Sequence, residues 1–368
     1  MCLVSGGTGG HLMPALVLAR ALQQCGHEAM LVTEGREVER ELLRRELPDV
    51  AEARLPAAPG RGGLPSLGMP FWLARATVAA RAMLREHAVD FVVSTGGRPC
   101  LPVGLAAKSL GKPLFLLEQN AVTGRVNRWL SPMARRIYHG LPVPGGLGAR
   151  ALLTGTPLRP QFQHIDRRRC RAELGLPPSA LVVLVTGGSQ GARPLNEIVP
   201  AALCRLPFQV HVLHLAGPGR DEAVRRLYAG ADSRVVAQVR PVASDMDRMF
   251  GAADLVVCRG GGTTVAELTA AGRAAVIVPY PHHRDRQQLR NAEVLQRASA
   301  AIVVAEPELS VEGATGLLAA LLADRARLEA MGTAARRLRT DDPAAAILRD
   351  MGLTDEPCPA CVPAGGGS

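Results

Sequence analysis

The sequence predicts an α/β protein built from two doubly wound parallel sheets. Three observations carry this. Short apolar runs repeatedly end in glycine-rich turns and are followed by stretches with helical spacing. The pattern runs once, breaks near Arg159, and starts again. The length of 368 residues suits two domains of ordinary size. Apolar strands that alternate with helices belong in parallel sheets covered on both faces.

The elements follow in order. Leu3-Val4 leads into Gly6-Gly7-Thr8-Gly9-Gly10-His11, and Pro14 to Gln24 has helical spacing. Leu64 to His87 reads as an amphipathic helix with Leu67, Met69, Phe71, Trp72, Leu73, Val78 and Met83 as its bulk. Phe91-Val92-Val93 leads into Ser94-Thr95-Gly96-Gly97. The stretch Pro160 to Pro178 holds the charged run Asp166 to Arg169 and a proline pair, which suits a linker and first helix. The second half repeats the scheme. Leu181 to Val185 leads into Thr186-Gly187-Gly188-Ser189-Gln190-Gly191, with a helix from Asn196 to Leu203. Leu255 to Cys258 leads into Arg259-Gly260-Gly261-Gly262, with a helix from Thr264 to Ala271, and Val276-Ile277-Val278 is a further strand. Asp342-Pro343 is a good N-cap and first-turn pair for a last helix. Residues 1–157 are therefore assigned to a first domain and 158–340 to a second. Residues 341–353 are read as a C-terminal helix and 354–368 as a disordered tail.

Composition excludes several classes. Hydrophobic residues at 47% and charged residues at 21% rule out a disordered, collagen-like or coiled-coil chain. No run of apolar residues is long enough for a spanning helix. The N-terminus meets Gly6 too soon for a signal peptide. Eight scattered cysteines form no disulfide framework and point to a reducing cytoplasm. The single CxxC pair, Cys358 and Cys361, lies in the tail and cannot complete a zinc site. The net charge is +10, almost all from arginine, since Lys108 and Lys112 are the only lysines. Such a charge favours anionic partners, although the abundance of Ala, Gly and Pro marks part of it as compositional bias.

A glycine turn between strand and helix exposes backbone N–H groups and a positive helix end to a phosphate. None of these turns matches the P-loop pattern. None completes GxGxxG either, because Leu12 stands where the third glycine belongs. One such turn has a purely steric reading; turns in both halves indicate two ligand-handling sites.

The polar residues within these turns resemble the MurG family of bacterial N-acetylglucosaminyltransferases, glycosyltransferase family 28. The matching motifs are Gly6 to His11, Glu118-Gln119-Asn120, Gly155-Thr156-Pro157-Leu158-Arg159, Gly187 to Ala192, Arg259 to Glu267, Pro279 to His282, and Asp285 to Ala292. The resemblance implies a GT-B fold of two facing Rossmann-like domains with a cleft between them. It implies a UDP-GlcNAc-binding C-terminal domain and an N-terminal acceptor domain that meets the membrane. The expected reaction transfers GlcNAc, with inversion, to the C4 hydroxyl of undecaprenyl-pyrophosphoryl-MurNAc-pentapeptide. Lipid I becomes lipid II, on the inner face of the cell membrane. A related GT-B enzyme with a different acceptor, a Rossmann dehydrogenase and a non-catalytic nucleotide-sugar binder are the competing readings. The incomplete GxGxxG pattern opposes the dehydrogenase.

The resemblance also implies residue roles. Glu267 binds the ribose hydroxyls of UDP; in isolation it would read as a solvated helix carboxylate. Gly188, Ser189, Gln190 and Gly191 cradle the diphosphate, with Thr263 and Thr264 on a second turn. Arg159 reaches the nucleotide and Ala243 meets uracil through its backbone. Gln287 and Gln288 read GlcNAc hydroxyls, or are merely an exposed helix start. His11 is the candidate general base, and its alternative is to cap the turn or bond a phosphate. Thr8 and Asn120 shape the acceptor pocket, while Glu118 is read as catalytic-side or as a structural carboxylate. Gly9, Gly10, Gly96, Gly97 and Arg98 form the acceptor-side loops. Leu117, Arg98 and Thr156 depart from the family pattern.

No metal or other cofactor is expected. Asp245-Met246-Asp247 formally reads DxD, but sits where acids favour a helix start. His211 and His214 lie on opposite faces of a strand-like run and read as structural, as does His282-His283. Phe71 and Trp72 with Arg75, Arg81 and Arg85, extended by Trp129, Arg125, Arg128, Arg135 and Arg136, suit an anionic membrane surface. The plainer reading is a helix packed on the sheet. Other cell-wall synthesis proteins are expected partners. Nucleic acid is not, because 11 aromatic residues offer few stacking platforms.

Overall fold

The computed structural model describes residues 1–7, 9–58, 68–230 and 233–354. Thr8, Leu64, Leu67, Cys358 and Cys361 lie outside the described residues. The chain divides into two units: Met1–Leu158 together with the chain from Asp341 onward, and Arg159–Thr340.

The first unit begins with β1 (Cys2–Val4), α1 (Gly9–Gln24), β2 (Met30–Thr33), α2 (Glu37–Glu46), β3 (Ala51–Arg54) and α3 (Gly68–Glu86). It continues with β4 (Val92–Ser94), α4 (Cys100–Ser109), β5 (Leu114–Glu118), α5 (Arg125–Leu130), β6 (Arg136–His139) and β7 (Ala151–Leu153). All seven strands are parallel, in the order β3-β2-β1-β4-β5-β6-β7. Alternate strand residues face opposite sides. Leu3, Leu31, Val93, Phe115 and Leu117 pack under α1 and α2. Cys2, Val4, Val92, Leu114 and Leu116 pack under α3, α4 and α5.

The second unit contains α6 (Arg167–Glu173), β8 (Val182–Thr186), α7 (Arg193–Leu203), β9 (Val210–Leu215), α8 (Asp221–Ala229), β10 (Val235–Arg240) and α9 (Met246–Ala252). It then adds β11 (Leu255–Cys258), α10 (Gly262–Ala271), β12 (Ala274–Ile277), α11 (Gln287–Arg297), β13 (Ala301–Val303), α12 (Val311–Ala323) and α13 (Arg325–Arg337). Its six parallel strands run β10-β9-β8-β11-β12-β13.

Both sheets reverse direction once. In the first, the chain moves outward from β1 to β3 and returns to β4 on the other side of β1. In the second, it moves from β8 to β10 and returns to β11. A crevice opens beyond the carboxyl ends of the strands at such a reversal. The glycine turns at Gly6-Gly7 and at 95–99 leave β1 and β4. Those at 187–191 and 259–262 leave β8 and β11. The sequence placed these turns at strand ends; the strand order brings them together in pairs.

The last helix, α14 (Pro343–Asp350), belongs with the first unit. Asp342 caps it, its Oδ1 accepting the Ala345 N–H at 3.1 Å. Ala344, Ile347 and Leu348 pack into the same cluster as α1. Asp350 accepts from the Tyr138 hydroxyl at 2.9 Å and from Arg136 Nε at 3.2 Å.

Several sequence expectations need correction. The first helix starts at Gly9, not Pro14, so His11 lies in its first turn. Low glycine propensity hides that start from a reading of apolar spacing. The helices expected from Asn196 and Thr264 begin at Arg193 and Gly262. Trp72 does not join Phe71 at the surface. It is buried, and its indole N–H donates to Pro56 O at 2.9 Å. Adjacent helical positions point about 100° apart, so one of the two had to face inward. Arg136 is engaged by Asp350 rather than offered to a membrane.

Candidate active site

The first-unit site rests on two interlocked loops. The Gly6 N–H donates to Gly96 O at 2.9 Å, and the Thr95 N–H to Val4 O at 2.9 Å. At Gly97 the backbone has φ of +100°, and a side chain there would meet the Gly6 carbonyl at 2.3 Å. Only glycine permits this approach.

His11 packs against Gly96 in the second of these loops. Its Nδ1 lies 2.8 Å from Thr95 O and 3.2 Å from Gln119 Oε1. Gln119 Nε2 donates to the same Thr95 carbonyl at 3.2 Å, which orients the amide with Oε1 toward the imidazole. Both partners of Nδ1 are acceptors, so Nδ1 carries the proton. In the neutral ring Nε2 then holds a bare lone pair, the state a general base needs. Gln119 and the Thr95 carbonyl were not among the residues singled out from sequence. The adjacency of Gln119 to Asn120 in the Glu-Gln-Asn motif was the available signal.

Glu118 resolves toward its structural reading. It is buried and accepts four hydrogen bonds. They come from the Asn120 N–H at 3.2 Å, Asn120 Nδ2 at 2.9 Å, the Gly124 N–H at 2.8 Å and Asn127 Nδ2 at 3.0 Å. The carboxylate therefore shapes the loop that carries Asn120. Leu117 faces the core rather than the loops, so that departure leaves the site surface untouched. Arg98 is partly exposed and follows Gly97 directly. Thr156 is buried, with its hydroxyl close over Gly140.

The second-unit site is built from two open helix ends. In the turn before α7, the Gly191 N–H closes on Gly188 O at 2.9 Å, and Ser189 and Gln190 project to solvent at its tip. A side chain at Gly191 would overlap the Ala216 carbonyl at 1.9 Å. Neither α7 nor α10 has a side-chain N-cap or an acidic residue in its first turn. By contrast α6, α12 and α13 are capped by Asp166, Ser310 and Asp324. The first-turn N–H groups of α7 and α10, with Thr263 and Thr264 on the latter, suit an anion.

Glu267 lies one turn further along α10 and is partly buried. Burial pushes its carboxyl up to about 8, and nearby Arg159 pulls it back. Arg159 also donates through an Nη to Ser244 O at 3.2 Å, beside Ala243. The fold thus joins residues that are far apart in sequence. Gln287 and Gln288 occupy the first turn of α11, and Gln288 Oε1 accepts the Tyr280 N–H at 3.0 Å. Its Nε2 is the end left to face a ligand. Arg259, in contrast, is buried, donates to Val278 O at 3.0 Å and pairs with Glu306.

The other titratable candidates are structural. His214 is buried between the Tyr228 hydroxyl at 3.0 Å and Asn196 Oδ1 at 3.1 Å. Desolvation drives its pKa down to about 3. Asp245 is the N-cap position of α9 and bonds Arg240 at 3.4 Å. His282 and His283 sit edge-on to Tyr280 in an exposed loop. Among the described residues, no three His, Cys, Asp or Glu side chains come together as a metal site would require.

Known proteins show which family the chain belongs to. Residues 1–139 match the glycosyltransferase family 28 N-terminal domain, and residues 182–346 match the family 28 C-terminal domain. A relative from Halorhodospira halophila is 42% identical over 354 residues, 93% of this chain and 94% of that protein. One from Ectopseudomonas mendocina is 38% identical over 343 residues, 92% of this chain and 94% of that protein. Both are named UDP-N-acetylglucosamine--N-acetylmuramyl-(pentapeptide) pyrophosphoryl-undecaprenol N-acetylglucosamine transferase. The crystal structure of Acinetobacter baumannii MurG superimposes with a TM-score of 0.80 at 31% identity, covering 96% of this chain and 99% of that one. The calicheamicin glycosyltransferase CalG4, at 18% identity and a TM-score of 0.66, shares the fold. With both halves matched and full-length relatives at this identity, the chain is a GT-B protein that belongs to glycosyltransferase family 28.

Proposed function

We propose that the protein is an inverting transferase. It moves GlcNAc from UDP-GlcNAc to the C4 hydroxyl of undecaprenyl-pyrophosphoryl-MurNAc-pentapeptide, forming a β-1,4 link and UDP. The observation that carries the donor half is the Arg159–Glu267 neighbourhood beside two uncapped helix ends. Glu267 accepts from the ribose hydroxyls, and the N–H groups of α7 and α10 receive the diphosphate. On the acceptor side, the C4 oxygen attacks the anomeric carbon while its proton passes to His11 Nε2. The bond from the anomeric carbon to the diphosphate oxygen breaks, and that electron pair leaves on UDP. Helix ends and Arg159 stabilise the departing charge, a role that needs no metal.

The reaction takes place at the cytoplasmic face of the membrane. No helix among the described residues is long and apolar enough to cross a membrane. A peripheral surface on α3 supports the placement. Phe71 is 72% exposed and Val78 69% exposed, with Arg75 and Arg85 on the same helical face. Trp129 on α5 is 57% exposed. The deciding experiment offers UDP-GlcNAc with a lipid-linked MurNAc-pentapeptide analogue. Transfer of GlcNAc is expected; UDP release only with some other acceptor overturns the acceptor assignment. Vesicles rich in phosphatidylglycerol should sediment the protein at low salt, and Phe71→Glu should reduce that binding. Equal sedimentation of the variant removes the α3 surface.

A further inference from the structure

We propose that the second unit carries another anion site, for orthophosphate or diphosphate, at the end of the sheet opposite the donor loops. The donor loops follow the carboxyl ends of β8 and β11. This pocket, of about 280 Å³, is formed where β11 and β12 begin, at Asp254 and Arg273. It is lined by Arg167, Arg273, Arg325 and Arg336 against Asp254 and Glu329.

Of the two lining carboxylates, Asp254 is already committed. Asp254 accepts from Arg167, from Arg171 at 2.8 Å and from the Val182 N–H at 2.7 Å. Glu329 has no ion pair among the described residues, but four guanidiniums face these two carboxylates. Positive charge therefore remains in excess around the pocket.

Arg273 is the centre of the site. It is 8% exposed, and its guanidinium is held by Phe250 O at 2.9 Å and Gly251 O at 2.6 Å. Those bonds use Nε and one Nη; the other Nη has no acceptor among the described residues. Burial drives its pKa down to about 10, and nearby Arg167 and Arg336 push the same way. The Nε of Arg167 is also buried without a partner. Solvent-facing arginines spread apart; here the backbone keeps them together. Gly272 caps α10 with φ of +61°, and α13 approaches so closely that a side chain at Gly332 would meet Gly272 O at 2.6 Å. That approach lays the Arg336 guanidinium over Gly272. Preorganised guanidiniums around a recess match tetrahedral phosphate oxygens.

The test uses the full chain saturated with UDP, so that the donor site is occupied. Diphosphate and orthophosphate are titrated by calorimetry, with NaCl at equal ionic strength as the control. Binding beyond the control is expected, and Arg336→Ala should weaken it at least tenfold while leaving UDP affinity unchanged. Arg336 is exposed, so this variant folds; Arg273→Lys is the second variant and should also weaken binding. No binding beyond NaCl, or equal binding by Arg336→Ala, overturns the site. Phosphatidylglycerol vesicles separate the sources of phosphate. Vesicle binding that needs Arg336, without binding of free diphosphate, assigns the pocket to a lipid headgroup and overturns the soluble ligand.

Discussion

Replacing Glu267 with Gln should uncouple donor binding from protons. Burial pushes the free carboxyl up to about 8, so most of it is protonated at neutral pH. Ribose hydroxyls donate to the ionised form, and hydrogen bonds to a carboxylate lower its pKa. UDP binding should therefore release close to one proton per site at pH 7. One pKa unit corresponds to about 1.4 kcal/mol, so UDP affinity should rise about tenfold from pH 7 to pH 9 and then level off. Working above pH 7 keeps the terminal phosphate of UDP, which titrates near 6, out of the slope. Titration calorimetry in two buffers of different ionisation enthalpy counts the protons directly. Glu267→Gln keeps a group able to bond one hydroxyl, but its affinity should be lower at pH 9 and flat with pH. A wild-type protein with no proton release at pH 7, or a variant with the same pH slope, would refute the assignment of Glu267 to the ribose.

His11→Ala should lower kcat by about 10²–10⁴-fold with little change in KM for UDP-GlcNAc, measured by steady-state transfer. An unchanged kcat removes His11 as the base. His214 should dominate part of the acid limb of stability. Its pKa falls from 6.5 in the unfolded chain to about 3, so the unfolded state binds more protons below pH 6.5. Stability is full above that pH and lost as pH falls toward 3, by about 5 kcal/mol at full extent. His214→Phe should flatten that limb in urea titrations across pH, and an identical slope would contradict the assignment. Asp342→Ala removes the cap on Ala345 and should cost about 1 kcal/mol in denaturant unfolding. A loss well under half of that would mean packing on α1, not the cap, holds α14.

The sequence alone determined the local order of this protein. Strand, glycine turn and helix are neighbours in the chain, and their periodicities and caps act over a few residues. The motif residues of both sites were legible for the same reason, as was the final helix with its Asp342 cap. Tertiary structure decided what those residues do. Strand order paired the turns at β1/β4 and β8/β11. The Thr95 carbonyl, on another turn, selects the protonated nitrogen of His11. Burial raises the pKa of Glu267, and the fold brings Arg159 near it. Packing turned Trp72 inward and left Phe71 out, a choice the apolar count in α3 could not make. The Arg273 pocket was the least legible feature. In a chain whose positive charge is nearly all arginine, composition masks any single cluster. Only the close approach of α13 to Gly272 separates these guanidiniums from the rest. Contacts between residues distant in sequence carry no local signal, because they depend on how the layers meet.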